Sequence, residues 1–305
     1  MESIIDESEA ISKLRAGITD AVRSCMRGHA GIALSGGIDS SLVAAIAGSI
    51  NPDIELYAVG MRGSHDVKQA QQASALLGLG DRLHVCECTD AEIESAIPRV
   101  VRAIQTTNPV SVGIGICMYL VSQCAHADGT GLLLTGQGAD ELFAGYKRYE
   151  QACDSGRLEL DRELEKDIRA LPDQIKRDVA VAELNCVELC LPICNHDVVD
   201  IARRIDSKLK MKRVGDEYTR KYILRKVSED YLPRELAWAP KKAAQYGTGV
   251  QNALRRMARR QGVGQAEFLR QYQVSFSSDL RLPEDGDHSH SMRLDEAKNH
   301  EITRD

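Results

Sequence analysis

Four short apolar runs, each followed by a turn and then by helical periodicity, constrain this chain more than any other feature. Residues 30–34 (Ala-Gly-Ile-Ala-Leu) close on Ser35-Gly36-Gly37, and the next segment, SSLVAAIAGSI, has the spacing of a helix. The runs at 54–60, 82–88 and 131–136 repeat the pattern, with helices expected over 65–78, 90–105 and 113–126. A first amphipathic helix is expected at 8–25, where Ile11, Leu14, Ile18, Ala21, Val22 and Cys25 fall at helical spacing. Strands alternating with helices form a parallel sheet covered on both faces, because each crossover lays its helix against the sheet. The fold class is therefore α/β, a doubly wound parallel sheet. From about residue 157 the signals turn helical, over 159–170, 173–184, 196–205, 216–230 and 249–260, which gives a helical C-terminal half.

Composition narrows the class further. Hydrophobic residues make up 43% and charged residues 28%, the balance of an ordinary globular chain. No stretch approaches 18 uninterrupted apolar residues, so no membrane span is expected. The acidic start, MESIIDESEA, lacks the apolar run of a signal peptide, and a cytoplasmic location is expected. The nine cysteines are odd in number and scattered, so they are expected as buried small hydrophobes, not disulfides. Cys186, Cys190 and Cys194 lack the Cys-x-x-Cys pairing of zinc or iron–sulfur sites, and so do Cys86 and Cys88. The net charge of −6 hides a basic stretch: residues 1–207 carry −12 and residues 208–260 carry +10. That stretch can face nucleic acid or polyphosphate, or simply neutralise the acidic half. Residues 277–305 are polar and net −4, and are expected as a disordered acidic tail whose His288 and His290 are solvated.

Two loops carry chemistry. Ser35-Gly36-Gly37-Ile38-Asp39-Ser40-Ser41 joins the first strand to its helix. Its glycines let the backbone approach an anion, while N–H groups, a helix N-terminus and serine hydroxyls supply donors. Asp39 repels phosphate, so its natural role is to hold a divalent cation that bridges phosphates. The loop lacks the Lys-Ser/Thr ending of a Walker loop. A plain strand–turn–helix connection would use the same residue types. The second loop, Thr135-Gly136-Gln137-Gly138-Ala139-Asp140-Glu141-Leu142-Phe143-Ala144-Gly145-Tyr146, begins where the fourth strand ends. Loops at the C-terminal ends of parallel strands share one crevice, so Asp140 would join Asp39 around one magnesium ion, Mg²⁺. Asp140 and Glu141 would also suit the start of the next helix.

The first loop resembles the pyrophosphate loop of the N-type ATP pyrophosphatases. With the second loop about 100 residues later, the pair is similar to the synthetase domain of the asparagine synthetase family. Tyr57-Ala58-Val59-Gly60, Ser64-x-Asp66, Met118-Tyr119-Leu120, Lys221-Tyr222-Ile223-Leu224-Arg225, Tyr231-Leu232-Pro233 and Lys241-Lys242-x-x-Gln245-Tyr246-Gly247-x-Gly249 extend the resemblance over roughly residues 10–250. The β-lactam synthetases are more distantly similar. The resemblance implies one such domain over residues 1–276, with ATP and Mg²⁺ as cofactors and aspartate and ammonia as substrates. ATP would activate the aspartate side-chain carboxylate as an acyl-adenylate, releasing pyrophosphate, and ammonia would then give asparagine and AMP. It implies ATP contacts at Leu34, Ser35, Gly36, Gly37, Asp39, Ser40, Val59, Gly60, Gly136 and Lys242. Asp66, Tyr146 and Gln245 would meet the amino-acid substrate. Lys242, or Lys241 one residue earlier, would stabilise charge on the reacting phosphates, while Asp39 and Asp140 would hold the Mg²⁺, Gln137 would position the amine, and Glu141 or solvent would take its proton.

Two departures bear on the substrate. Gln137 stands where the family often has an acid that assists the incoming amine, and glutamine cannot accept a proton at neutral pH. In Glu188-Leu-Cys190-Leu-Pro192-Ile-Cys194-Asn195 the family's arginine and aspartate have become Cys190 and Asn195, which removes both charges together. The family's N-terminal glutaminase domain, with its cysteine at position 2, is not expected here, because position 2 is Glu2. Nitrogen would then come from free ammonia, a separate glutaminase subunit or another amine. A homodimer is compatible with the sequence, and nucleic acid is disfavoured as a partner. The alternatives are a related adenylating ligase with another carboxylate or amine, and an RNA-modifying ATP pyrophosphatase.

Overall fold

The alternation of apolar runs and helices folds as the periodicity requires. A computed structural model of the protein describes residues 3–240 and 247–273. Strands β1 (Ala30–Ala33), β2 (Glu55–Met61), β3 (Leu83–Cys88), β4 (Leu132–Leu134) and β5 (Glu188–Cys190) form one parallel sheet in the order β3-β2-β1-β4-β5. The first four occupy the expected runs. The fifth was not expected, since three residues are too few to show a period.

Helices α1 (Glu7–Cys25), α2 (Ile38–Ile50), α3 (His65–Leu76), α4 (Asp90–Ile104) and α5 (Pro109–Ala127) fill the first half. Both sheet faces are buried. Leu56, Ala58, Leu132 and Leu134 join a core with α1 and α2, while Tyr57 and Leu133 join a second core with α4 and α5. Alternate residues of one strand thus serve opposite cores. In α1 the stripe Ala10, Leu14, Ile18, Ala21, Val22 and Cys25 is buried, and the Asp6 side chain accepts from the N–H of Glu9 at 2.7 Å to cap the first turn. A reciprocal capping box between Thr89 and Glu92 starts α4. By length and composition alone α5 could cross a membrane, but over half of its apolar window is buried within the fold.

The second half corrects two expectations. Residues 159–170 and 173–184 are not two helices. They belong to one 27-residue helix, α8 (Arg157–Glu183), which follows the short α6 (Ala139–Leu142) and α7 (Arg148–Asp154). Pro172 lies inside α8 and costs it a backbone hydrogen bond, yet the buried residues Leu160, Leu164, Ile168 and Leu171 before it and Val181 and Ala182 after it keep the helix on its neighbours. After α9 (His196–Arg204) and α10 (Ser207–Lys210), the start of the expected helix 216–230 is instead a β-hairpin. Strands β6 (Met211–Val214) and β7 (Glu217–Arg220) pair antiparallel around Gly215-Asp216, and only Tyr222–Ser228 is helical (α11). Helices α12 (Arg234–Ala237), α13 (Val250–Arg260) and α14 (Gln265–Arg270) follow. The expected tail lies outside the described residues.

The cysteines correct a third expectation. Cys25 at the end of α1 is bonded to Cys190 of β5, with Cα atoms 6.0 Å apart, and Cys86 of β3 to Cys124 of α5, at 6.3 Å. Nothing in the spacing reveals these pairs, because packing of α1 and α5 against the sheet brings them together. Cys186 is exposed, not buried. Peptide mapping under non-reducing conditions is expected to recover both bridged pairs, and reduction to lower stability by a few kcal/mol per bridge. Recovery of four free thiols would refute the assignment.

Candidate functional site

The order of the sheet creates the site. From β1 the chain runs to β2 on one side and later to β4 on the other, so the loops leaving β1 and β4 diverge and leave a crevice at their C-terminal ends. Gly136 lets the two loops touch: a Cβ there would lie 2.6 Å from the carbonyl carbon of Asp39 and the nitrogen of Ser40. The first loop is self-bonded. The Ser35 N–H donates to Ser40 Oγ at 3.1 Å, and the Ser40 hydroxyl lies 3.0 Å from that of Ser35.

Asp39 and Asp140 do converge, on a lysine the sequence reading had not assigned to the site. Lys221 Nζ donates to Asp39 Oδ1 and Oδ2 at 2.7 and 2.6 Å, and meets Asp140 Oδ1 at 2.6 Å. Lys221 is fully buried and left-handed (φ 58°), at the junction of β7 and α11. Burial alone would pull its ammonium down, but Asp140 and Asp39 together outweigh that and hold it above its usual value. Any side chain at Gly145 would collide with Asp140 and Lys221. Two carboxylates thus share one ammonium at the mouth of the crevice.

The crevice opens into a cleft of about 370 Å³. Ala33, Val59, Met118 and Val121 give it an apolar wall. On the polar side, Glu141 is almost fully buried. Burial pushes its carboxyl up, and the Tyr146 hydroxyl, donating to Oε1 at 2.5 Å, partly offsets this. Gln137 Nε2 donates to Asp178 Oδ2 of α8 at 2.9 Å.

Of the residues expected at ATP, Leu34, Ser35, Asp39, Ser40, Val59 and Gly136 line the cleft. Asp66, Gln137, Asp140, Glu141 and Tyr146 line it as well. Gly36, Gly37 and Gly60 do not line it; they shape its loops. Lys241, Lys242 and Gln245 lie outside the described residues. A signal for Lys221 existed: it opens the Lys-Tyr-Ile-Leu-Arg segment, and two facing aspartates need a counter-charge.

Asp66 is buried, and among the described residues its Oδ2 has no hydrogen-bond partner. Burial pushes its carboxyl up to about 6, while His65 pulls the other way. A carboxyl raised in the fold holds its proton more tightly there than in the unfolded chain. That favours folding below the ordinary carboxylate range, and the advantage is lost as pH rises through about 6. Asp66→Asn is therefore expected to be more stable than the parent at pH 7 by ~2 kcal/mol, with the difference shrinking toward pH 4. Urea titrations of both proteins across that range check this, and a difference independent of pH would contradict it.

A family model described as asparagine synthase matches residues 13–163 and 153–291. The putative asparagine synthetase (glutamine-hydrolyzing) 1 of Methanocaldococcus jannaschii is 34% identical over 296 residues, which cover 86% of this chain and 54% of that protein. Asparagine synthetase B (glutamine-hydrolyzing) of Escherichia coli K12 is 31% identical over 266 residues, covering 81% of this chain and 46% of that one. The chain spans about half the length of these relatives. Among solved structures, NMN synthetase from Francisella tularensis aligns with a TM-score of 0.42 and 15% identity over 90% of each chain, too loose a likeness to carry an argument. The family match runs through both cleft loops and the hairpin that delivers Lys221, and the chain belongs to the asparagine synthase family.

Proposed function

We propose that this chain is an ATP-dependent, amide-forming ligase that activates the side-chain carboxylate of aspartate and transfers it to ammonia. The observation that carries the reading is the convergence of Asp39 and Asp140, from two glycine loops, beside a cleft with one apolar wall and one polar wall. The apolar wall suits a purine. The Ser35–Ser40 loop, at the N-terminus of α2, suits phosphates.

In the first step the aspartate carboxylate oxygen bonds to the α-phosphorus as the bridge to the β-phosphate breaks, and pyrophosphate leaves. The buried Lys221 ammonium stands behind Asp39 and Asp140 and holds both carboxylates at the mouth of the crevice. Asp39 and Asp140 would hold Mg²⁺. Among the described residues no third histidine, cysteine or acidic side chain completes a metal cluster there, which fits an ion that takes its other ligands from phosphate and water. When bound, such an ion neutralises the departing pyrophosphate. The Asp66 carboxylate, whose Oδ2 has no hydrogen-bond partner among the described residues, suits the α-ammonium group of the amino acid. In the second step nitrogen bonds to the acyl carbon, AMP leaves, and Glu141 takes the surplus proton. Ammonia is the nucleophile in this reading wherever it is made. A second reading, a related ligase with another amine, is favoured by Gln137 in place of an acid.

Purified protein given ATP, aspartate and ammonium is expected to release AMP and pyrophosphate, and Asp39→Ala to lower the rate at least ~100-fold. No aspartate-dependent AMP, or an unaffected Asp39→Ala, would overturn the proposal. Glu141 acts only when deprotonated, and burial raises its carboxyl. Amide formation should therefore fall off at a higher pH than an ordinary carboxylate would set. Glu141→Gln should lose that limb when both proteins are profiled with the same ammonium solutions, which cancels the titration of ammonia itself.

A further inference from the structure

Gln137 is more constrained than a cleft glutamine need be. Its Nε2 donates to Asp178 Oδ2, and Asp178 is 1% exposed. Arg177 clamps the same carboxylate: Nε donates to Oδ1 at 2.8 Å and Nη2 to Oδ2 at 2.9 Å. Burial pushes the Asp178 carboxyl up, and Arg177 pulls it down. Because a guanidinium only donates, both oxygens must accept, and the bidentate pair keeps Asp178 ionised. An ionised carboxylate has no proton to offer. The Gln137 amide therefore has one allowed orientation, with its NH₂ on Asp178 and its carbonyl oxygen Oε1 turned away. Among the described residues no side chain or backbone group donates to Oε1, and the residue lines the cleft. The main chain is held as well, since the Cys194 thiol donates to the Gln137 carbonyl at 3.3 Å.

We propose that Asp178, clamped by Arg177, is a positioning residue that turns the Gln137 carbonyl into the cleft as the acceptor for an N–H of the incoming neutral amine. This rests on the ligase reading above and specifies its second substrate. A carboxylate at position 137 would favour an ammonium ion, whereas an amide carbonyl favours a neutral amine that keeps its lone pair for attack. Oε1 accepts one N–H hydrogen. The nitrogen lone pair then bonds to the acyl carbon, the acyl–phosphate oxygen bond breaks, and AMP departs with that electron pair. The surplus proton leaves the nitrogen for Glu141 or water and never resides on Gln137. Ammonia and small primary amines meet these demands.

The test is Asp178→Asn. Asparagine keeps the shape, but Arg177 claims its only oxygen, so its NH₂ faces Gln137 and forces the Gln137 amide to turn over. The cleft then presents a donor. The readout is the ratio of amine-dependent AMP formation to aspartate-dependent ATP–pyrophosphate exchange in one preparation, which does not depend on how much of the variant folds. The ratio is expected to fall at least tenfold in Asp178→Asn, with a raised KM for ammonium, and to recover largely in Asp178→Glu. Gln137→Met, which keeps the bulk and loses the acceptor, should fall as far as Asp178→Asn. An unchanged ratio in Asp178→Asn alongside a fall in Gln137→Met would overturn the positioning role, and an unchanged ratio in both would overturn the acceptor as well. A parent protein without any exchange activity would instead overturn the ligase reading, and this proposal with it.

Discussion

One buried ammonium organises the catalytic end of this protein. Lys221 has almost no solvent contact, and taking its charge out of water costs several kcal/mol unless partners replace the hydration shell. Asp39 and Asp140 do so, each at about hydrogen-bonding distance. The three residues come from the loop after β1, the loop after β4 and the end of the β6–β7 hairpin. Loss of any one would strand a charge in the others' environment, so the loops and the hairpin form one cooperative unit. Gly145 and Gly136 follow from the same constraint, since a side chain at either would push apart the segments the charges draw together.

Where local chemistry and global packing agree, the fold can be read from the chain. The runs that became β1 and β4 are continuous and apolar because both faces of the sheet are covered there, and glycines follow each of them at the turn. Helix α1 shows its buried stripe at the expected spacing. Features set by tertiary contact alone are silent in the sequence. β5 is three residues long and exists because β4 offers it an edge. Pro172 reads as the boundary between two helices, yet packing on either side carries α8 through it. Lysines read as solvated, so the segment that Lys221 opens points to it without showing its burial between two aspartates.

The charge asymmetry of the chain resolves in the same terms. Much of the +10 segment neutralises the acidic part: Lys212 meets Glu7, Arg220 meets Glu150, and Arg256 and Arg260 meet Asp90. Arg225 turns inward to the carbonyls of Arg220, Ala237 and Ala239, bracing the chain that leads to residue 241. Of the described basic residues in this segment, Arg220 lines the cleft and Lys221 lies behind its two aspartates. A basic stretch that looks like a surface for a polyanion is mostly internal cross-bracing, with a small remainder aimed at the site.

The departures from the family pattern gather on one side of the cleft. Cys190, in place of the family's arginine, is bonded to Cys25, and its carbonyl accepts from the N–H of Thr135 where the second loop begins. Asn195, in place of the aspartate, caps α9 by accepting from the N–H of Asp197 at 2.9 Å. A covalent tie and a neutral cap stand at these two positions, and neither leaves a charge stranded. Gln137 lies beside the same wall, on the α8 side. The loop around Asp39, by contrast, keeps every residue of its motif. An enzyme that forms an adenylate and then resolves it needs an unaltered polyphosphate site for the first reaction, whereas the wall facing the nucleophile can change with the amine it receives. The changes thus fall beside α8 and β5 and spare the loop after β1, the distribution that the proposed ligase reading calls for, in which ATP activation is kept and the grip on the attacking nitrogen is what varies.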